Sequence, residues 1–119
     1  MTNEQTTTDE QLYDTYELPF DANIGYPQEH RISIYNSIFK ITYNFNFISK
    51  MPILVLSNAS GDIYTIRQLV PYYVYYIQDT TTGVGIMSII TREISKDQIV
   101  GYMAINRNWN GYQIPIGDI

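Results

Sequence analysis

The sequence predicts an all-β protein, an antiparallel β-barrel or β-sandwich of seven to eight short strands with an extended N-terminal arm. Three observations indicate this class: strict alternation of apolar and polar residues over 38–47, turn-forming clusters about every ten residues, and helical spacing confined to 95–102. The apolar positions of the alternating stretch are Phe39, Ile41, Tyr43, Phe45 and Phe47. A period of two places them on one face of a strand, so we expect Tyr43 and Phe45 to point into the core.

The chain of 119 residues fits one domain that can bury a core without disulfides. Its 45% hydrophobic and 16% charged residues are not typical of a disordered chain. No apolar run approaches the roughly 18 residues of a membrane span, so we expect no membrane insertion. The first nine residues lack the basic and apolar regions of a secretory signal.

The acidity of the chain is concentrated at its N-terminus. Residues 1–29 hold seven acidic and no basic side chains, whereas residues 30–119 hold five acidic and seven basic ones. Pro19, Gly25 and Pro27 favour an irregular path. We therefore divide the chain into an acidic, irregular arm at 1–28 and a single β domain at 29–119. Neither part has the basic stripe that phosphates require, so we expect no nucleic-acid partner.

The β domain opens with a predicted hairpin. Ile32 and Ile34 alternate with polar residues, and Asn36-Ser37 supplies a short turn before the long strand.

Two turn-rich segments follow the long strand, at 49–52 and 58–62. They separate a short strand over 53–56 from another over 63–70. Pro71 then marks an edge or a corner, because proline cannot donate a hydrogen bond to a sheet.

The second half predicts strands at 72–77, 85–91 and 99–105. A short helix over 95–102 is the alternative, since Ser95 is a suitable cap. Gly101 and the neighbouring β-branched residues argue against that helix.

Residue types that commonly serve in catalysis or metal binding are scattered along the sequence. His30 has no cysteine or second histidine to join it in a metal site or triad, and it is interpreted as an exposed residue at a strand end. Asp62 and Asp97 fit turn chemistry. We expect no catalytic residue, no metal and no cofactor.

Tyrosine is the compositional outlier, with twelve residues, five of them within 64–76. In the run at 72–76, aromatic rings fall on both faces of the strand. If Tyr73 and Tyr75 face the core, then Tyr72, Val74 and Tyr76 face outward. Such an outward patch is typical of a contact surface, although core packing on both faces of the strand is the competing interpretation. The candidate interface residues are Tyr72, Tyr76, Trp109, Tyr13 and Tyr16.

The order of these features resembles the small baseplate plug proteins of contractile-tailed phages over about residues 18–70. The features are the arm ending in Pro27-Gln28, the hairpin Ile32-Ser33-Ile34-Tyr35-Asn36-Ser37-Ile38-Phe39, the strand ending in Tyr43-Asn44, and Ile53-Leu54-Val55-Leu56 leading to Ser60-Gly61-Asp62-Ile63.

The resemblance implies a structural virion protein made in the host cytoplasm. It would sit in the tail or baseplate, contact hub and spike proteins, and act without a catalytic centre. A homo-oligomer within the assembly is compatible with it. The alternative function is a small acidic phage-encoded inhibitor that mimics nucleic acid. A mimic should spread carboxylates over its folded surface, whereas here they concentrate in the first 29 residues.

Overall fold

The computed structural model describes residues 13–80 and 82–109, which form eight antiparallel strands and no helix. The strands are β1 (Tyr13–Glu17), β2 (Gln28–Ile34), β3 (Ser37–Asn46), β4 (Met51–Asn58), β5 (Ile63–Gln68), β6 (Val74–Gln78), β7 (Gly85–Ile94) and β8 (Ile99–Asn106). The prediction of an antiparallel all-β fold is confirmed.

The strands form two four-stranded sheets that pack as a sandwich. The front sheet has the order β1-β8-β7-β6, and the back sheet has the order β2-β3-β4-β5. Each strand therefore lies beside its neighbour in sequence, except where the chain crosses from β1 to β2 and from β5 to β6. These two crossings leave β1 and β6 as the edges of the front sheet, and β2 and β5 as the edges of the back sheet.

The core lies between the inner faces of the two sheets. Phe39, Ile41 and Tyr43 of β3 are fully buried, as the alternation predicts, and Ile89 and Ile105 of the front sheet belong to the same cluster. Alternation fails to predict burial further along the strand. Phe45 is half-buried and Phe47 is exposed, because the chain there reaches the end of the sandwich and enters a turn.

The division at residue 28 needs correction. Tyr13–Glu17 is not irregular: it pairs with β8 along its whole length, from Tyr13 opposite Asn106 to Glu17 opposite Tyr102. The edge of β8 provides backbone hydrogen-bond partners for β1, and no local sequence pattern predicts this pairing. The β domain therefore includes β1, and the irregular path is confined to residues 18–27. The arm residues 1–12 lie outside the described part of the chain.

The buried side chain of Gln28 organises this irregular segment. Its Oε1 accepts the Asp21 amide at 2.8 Å, while its Nε2 donates to the carbonyls of Asp21 at 2.9 Å and Gly25 at 2.8 Å. These bonds hold Phe20 and Tyr26 against the aromatic end of the core, where their ring centroids are 5.7 Å apart.

The structure differs from two local predictions. The first hairpin turns at Tyr35-Asn36, one residue earlier than expected, with Tyr35 at φ 58°. The helical alternative at 95–102 is wrong, since Ile99–Asn106 is a strand. Gly101 is required there by a close approach: an added Cβ would lie 2.6 Å from the carbonyl oxygen of Ile90.

Candidate protein-interaction surfaces

The outer face of the front sheet carries apolar and small polar side chains. Strand register places one row of residues across all four strands, with Thr15 opposite Ala104, Ala104 opposite Ser88, and Ser88 opposite Tyr76. We name the surface the aromatic face and define it by Tyr13, Thr15, Val74, Tyr76, Ser88, Ile90, Tyr102 and Ala104. Glu17 continues the row of Tyr102, Ile90 and Val74 at the β1 edge, and it is the charged neighbour of this face.

A groove crosses the aromatic face at the end where β1 begins and β6 ends. Tyr13 and Tyr76, from the two edge strands, line it together with Gly85, Met87 and Ser88 of β7, and its volume is about 260 Å³. A Cβ built on Gly85 meets nothing within 4 Å, so the space above this glycine is open. The groove can therefore receive an apolar side chain of a partner.

The structure brings two of the candidate residues into this groove, Tyr13 and Tyr76. Tyr76 is 72% exposed and Tyr72 is 74% exposed, and Val74 also points outward, which agrees with the predicted alternation. Tyr73 departs from it. This residue was expected in the core but is 53% exposed, because the strand begins only at Val74 and the turn before it has Tyr72 at φ 54°.

Trp109, a candidate interface residue, is buried in the structure. Its side chain is only 6% exposed and packs against two rings of the back sheet, with centroid distances of 5.3 Å to Phe39 and 6.4 Å to Tyr64. Tyr16 is half exposed but lies opposite Met103, on the inner side of β1 and away from the aromatic face. The remaining candidates on or beside the outer surface are Tyr13, Tyr72 and Tyr76.

An ionic network joins the two sheets at the β1 edge. Arg107 binds Asp14 through two hydrogen bonds, from Nε to Oδ2 at 3.0 Å and from Nη2 to Oδ1 at 2.9 Å. The Tyr35 hydroxyl, from the first turn of the back sheet, donates to the same carboxylate. The Arg107 hydrogen bonds hold the pKa of Asp14 below its usual value, although partial burial opposes them. This network fixes the edge strand that carries Tyr13.

We predict that Asp14→Asn destabilises the protein by about 1 kcal/mol at neutral pH and by less in acid. The pKa of Asp14 is lowered by folding, so its contribution is present above about pH 4 and is lost as the pH falls through the folded-state value. Urea unfolding of both proteins at pH 7 and pH 2.5 measures this. A difference between them that stays constant, or grows in acid, would contradict the assignment.

A second apolar surface was not predicted from the sequence. The β3–β4 turn exposes Phe47 by 81% and Ile48 by 95%, and we call these two residues the hairpin tip. Beside it, Lys50 and Lys96 line a cavity of about 350 Å³ together with Phe45 and Phe47. Neither lysine makes an ion pair with any described residue. The available sequence signal was two consecutive apolar residues between Asn46 and Ser49, where a turn is expected to be polar.

Residues 13–80 and 82–109 contain no cluster of three or more metal-ligating side chains. The ring of His30 is engaged by Gln28, with Nε2 and Oε1 2.6 Å apart. Within the same residues no helix has the length and apolarity to cross a membrane.

Comparison with known proteins gives no match, so functional inference rests on the geometry of these surfaces. No protein family, curated protein or solved structure matches the chain.

Proposed function

We propose that the protein is a non-enzymatic assembly protein that binds another protein through its aromatic face. The observation that supports this most directly is the groove between Tyr13 and Tyr76. The exposed face of an antiparallel sheet is ordinarily polar, so a face with tyrosines on both edge strands and a charged residue, Glu17, only at its border requires another explanation. Tyrosine contributes apolar area and a polar tip at low entropic cost, which is typical of residues that dominate interface energies.

The supporting strands favour a rigid binding surface. Tyr76 lies between Tyr75 and Ile77, whose side chains are anchored in the core, and Tyr13 lies beside Asp14, which Arg107 and Tyr35 hold. Both side chains thus project from backbone fixed by its neighbours. A surface that is already ordered loses less conformational entropy on binding.

The proposed setting is the tail or baseplate of a contractile phage, or a related injection machine, with hub and spike proteins as partners. The resemblance at residues 18–70 supports this setting. Those residues include the complete back sheet, β2 to β5, in which the hairpin at 32–39 forms β2 and β3. In this proposal the back sheet is the structural scaffold, and the front sheet carries the binding face.

A nucleic-acid mimic is less well supported by the distribution of charge. The described residues contain eight acidic and seven basic side chains, a net charge of −1. Two of the carboxylates, Asp14 and Glu29, are paired with arginines. A mimic of a phosphate backbone should instead display unpaired carboxylates over a continuous surface.

The test is incorporation into purified tail particles, with the protein supplied in trans as a tagged copy. The wild type should co-purify with the particles, and the double variant Tyr13→Ser/Tyr76→Ser should be lost from them while its melting temperature is nearly unchanged. Ile66→Ser, which removes an exposed apolar side chain from the back sheet, is the control and should be retained.

Two results would overturn the proposal. One is absence of the wild-type protein from the particles, and the other is equal incorporation of the double variant and the control. If neutralising the acidic residues 4, 9 and 10 abolishes the protein's activity in infected cells while the tyrosine variant keeps it, the inhibitor function is favoured instead.

A further inference from the structure

The hairpin tip is an ordered turn that presents apolar side chains to solvent. Asn46 Oδ1 accepts the amides of Ile48 at 2.9 Å and Ser49 at 3.2 Å, and the Lys50 amide donates to the Asn46 carbonyl at 2.7 Å. Phe47 is 81% exposed and Ile48 is 95% exposed, so the Ile48 side chain makes almost no contact with the described chain. Two adjacent apolar side chains held in this way require a covering from outside the fold.

A neighbouring loop adds a third apolar side chain at the same end of the sandwich. The irregular segment 18–27 lines a cavity of about 250 Å³ together with Phe47, so the loop and the hairpin tip are neighbours. Ile24 lies in this segment and is 61% exposed. Two separate turns therefore present apolar side chains at one end of the molecule, an arrangement typical of contact with a protein or a membrane.

Two lysines lie at the base of the hairpin tip. Lys50 follows the tip in the same turn, and Lys96, in the turn between β7 and β8, lines the cavity of about 350 Å³ beside it. Neither lysine forms an ion pair with any described residue. Asp97 is the only carboxylate that lines the two cavities next to the tip, so two cationic side chains stand against one anionic side chain there.

We propose that the hairpin tip docks this protein on the surface of a lipid bilayer that contains anionic lipids. Phe47 and Ile48 would enter the boundary between the headgroups and the acyl chains, while the ammonium groups of Lys50 and Lys96 would meet the lipid phosphates. Lysine can lay its hydrocarbon stem along apolar surface and keep its charged end in a polar layer. The hairpin is apolar at its tip and cationic at its base, which matches the order of hydrocarbon and phosphate in a bilayer.

The lysines favour a bilayer over a pocket of another protein as the covering for the tip. An apolar pocket would cover Phe47 and Ile48 but would leave unexplained why two turns each place an unpaired lysine beside them. A bilayer accounts for both features, because its anionic layer lies directly above its apolar layer. This docking is peripheral, and it differs from the membrane-spanning insertion that the short apolar runs of the sequence argue against.

The proposed lipid-docking surface is separate from the groove of the aromatic face. Lys96, beside the tip, follows the end of β7, whereas Gly85, in the groove, begins the same ten-residue strand. A strand of that length spans about 30 Å. The inference therefore does not rest on the proposed function, and one of the two can fail without the other.

Co-sedimentation of the full chain with lipid vesicles tests this inference. The wild type should bind vesicles of equal parts phosphatidylcholine and phosphatidylglycerol more tightly than vesicles of phosphatidylcholine alone. Phe47→Ser/Ile48→Ser should weaken binding to the mixed vesicles about tenfold or more, because it removes most of the inserted apolar area. Lys50→Gln/Lys96→Gln should weaken it about tenfold on the mixed vesicles and far less on phosphatidylcholine. Ile66→Ser should bind as the wild type does, and thermal melts establish that each variant is folded.

A tryptophan placed in the tip distinguishes insertion from electrostatic adsorption. In a Trp109→Phe background, Ile48→Trp should shift its emission to shorter wavelengths on mixed vesicles, because the indole enters a less polar layer. The wild type is the matched control. Trp109 contacts Phe39 near the start of β3, whereas the tip follows the end of that strand, so the emission of Trp109 should not change.

Three results would overturn the inference: a wild type that does not bind the mixed vesicles, a tip variant that binds them as tightly as the wild type, and an Ile48→Trp emission that stays unchanged on binding. If the wild type ignores vesicles and Phe47→Ser/Ile48→Ser is lost from tail particles, the tip is a protein contact instead. Tyr13→Ser/Tyr76→Ser should bind vesicles normally, so its loss from particles tests the proposed function alone. Loss of vesicle binding in that variant would assign lipid binding to the aromatic face and contradict the inference.

Discussion

Trp109→Ala is expected to lower the free energy of unfolding by about 3–5 kcal/mol, the range for truncating a large buried aromatic side chain. The indole is buried against Phe39 and Tyr64, at the end of the core where the chain leaves β8. Removing it leaves a cavity beside the Phe39 and Tyr64 rings, whose own centroids are 6.0 Å apart. Urea unfolding followed by far-ultraviolet circular dichroism measures the loss.

Trp109→Phe is the matched control, since it keeps a ring in contact with Phe39 and should lose much less stability. Trp109 is the single tryptophan of the chain, so its emission in the wild type also reports its burial. A stability loss below about 1 kcal/mol for Trp109→Ala, together with lost partner binding, would contradict the core assignment and restore the interface interpretation.

Two buried tyrosines should respond in opposite ways to loss of their hydroxyl groups. The Tyr43 hydroxyl has no hydrogen-bond partner among the described residues, whereas Tyr75 Oη donates to the Gln68 carbonyl at 2.7 Å and accepts the Val70 amide at 2.9 Å. We expect Tyr43→Phe to leave stability unchanged or raise it by up to about 1 kcal/mol. Tyr75→Phe should cost about 1–3 kcal/mol, because it leaves two backbone groups without this partner.

Alkaline pH provides a second test of the Tyr43 assignment. Burial raises the pKa of the Tyr43 hydroxyl. Its neutral form is therefore favoured by folding, and the stability it supports falls as the pH rises above about 10. Tyr43→Phe should flatten this alkaline decline. Equal losses for Tyr43→Phe and Tyr75→Phe at pH 7 would show that the Tyr43 hydroxyl has a partner in solution.

Strand identity could be predicted wherever one face of a strand is buried along its whole length. Ile32, Ile34, Phe39, Ile41 and Tyr43 alternate with polar residues because the pleat sends successive side chains to opposite faces. Alternation carries no information about where a sheet ends. For that reason it assigned Phe45 to the core, although this residue lies near the end of β3 and is only half-buried.

Residues whose environment depends on distant segments could not be assigned from the sequence. Trp109 was a candidate interface residue, but the end of β8 turns it onto two strands of the other sheet. The groove also depends on distant segments. Tyr13 and Tyr76 are 63 positions apart in sequence and line it from the two edge strands of the front sheet. No local pattern encodes which two edge strands a sheet will have.

The sequence by itself determined the antiparallel all-β class and the approximate positions of most strands, since these follow from a period of two and from local turn chemistry. Only the tertiary structure decided the sandwich, the recruitment of β1, the burial of Trp109 and the exposure of Phe47 and Ile48. These features arise from pairing and packing between segments far apart in the chain. The free energy of each of these contacts depends on two segments of the chain. It therefore cannot be predicted from either segment alone.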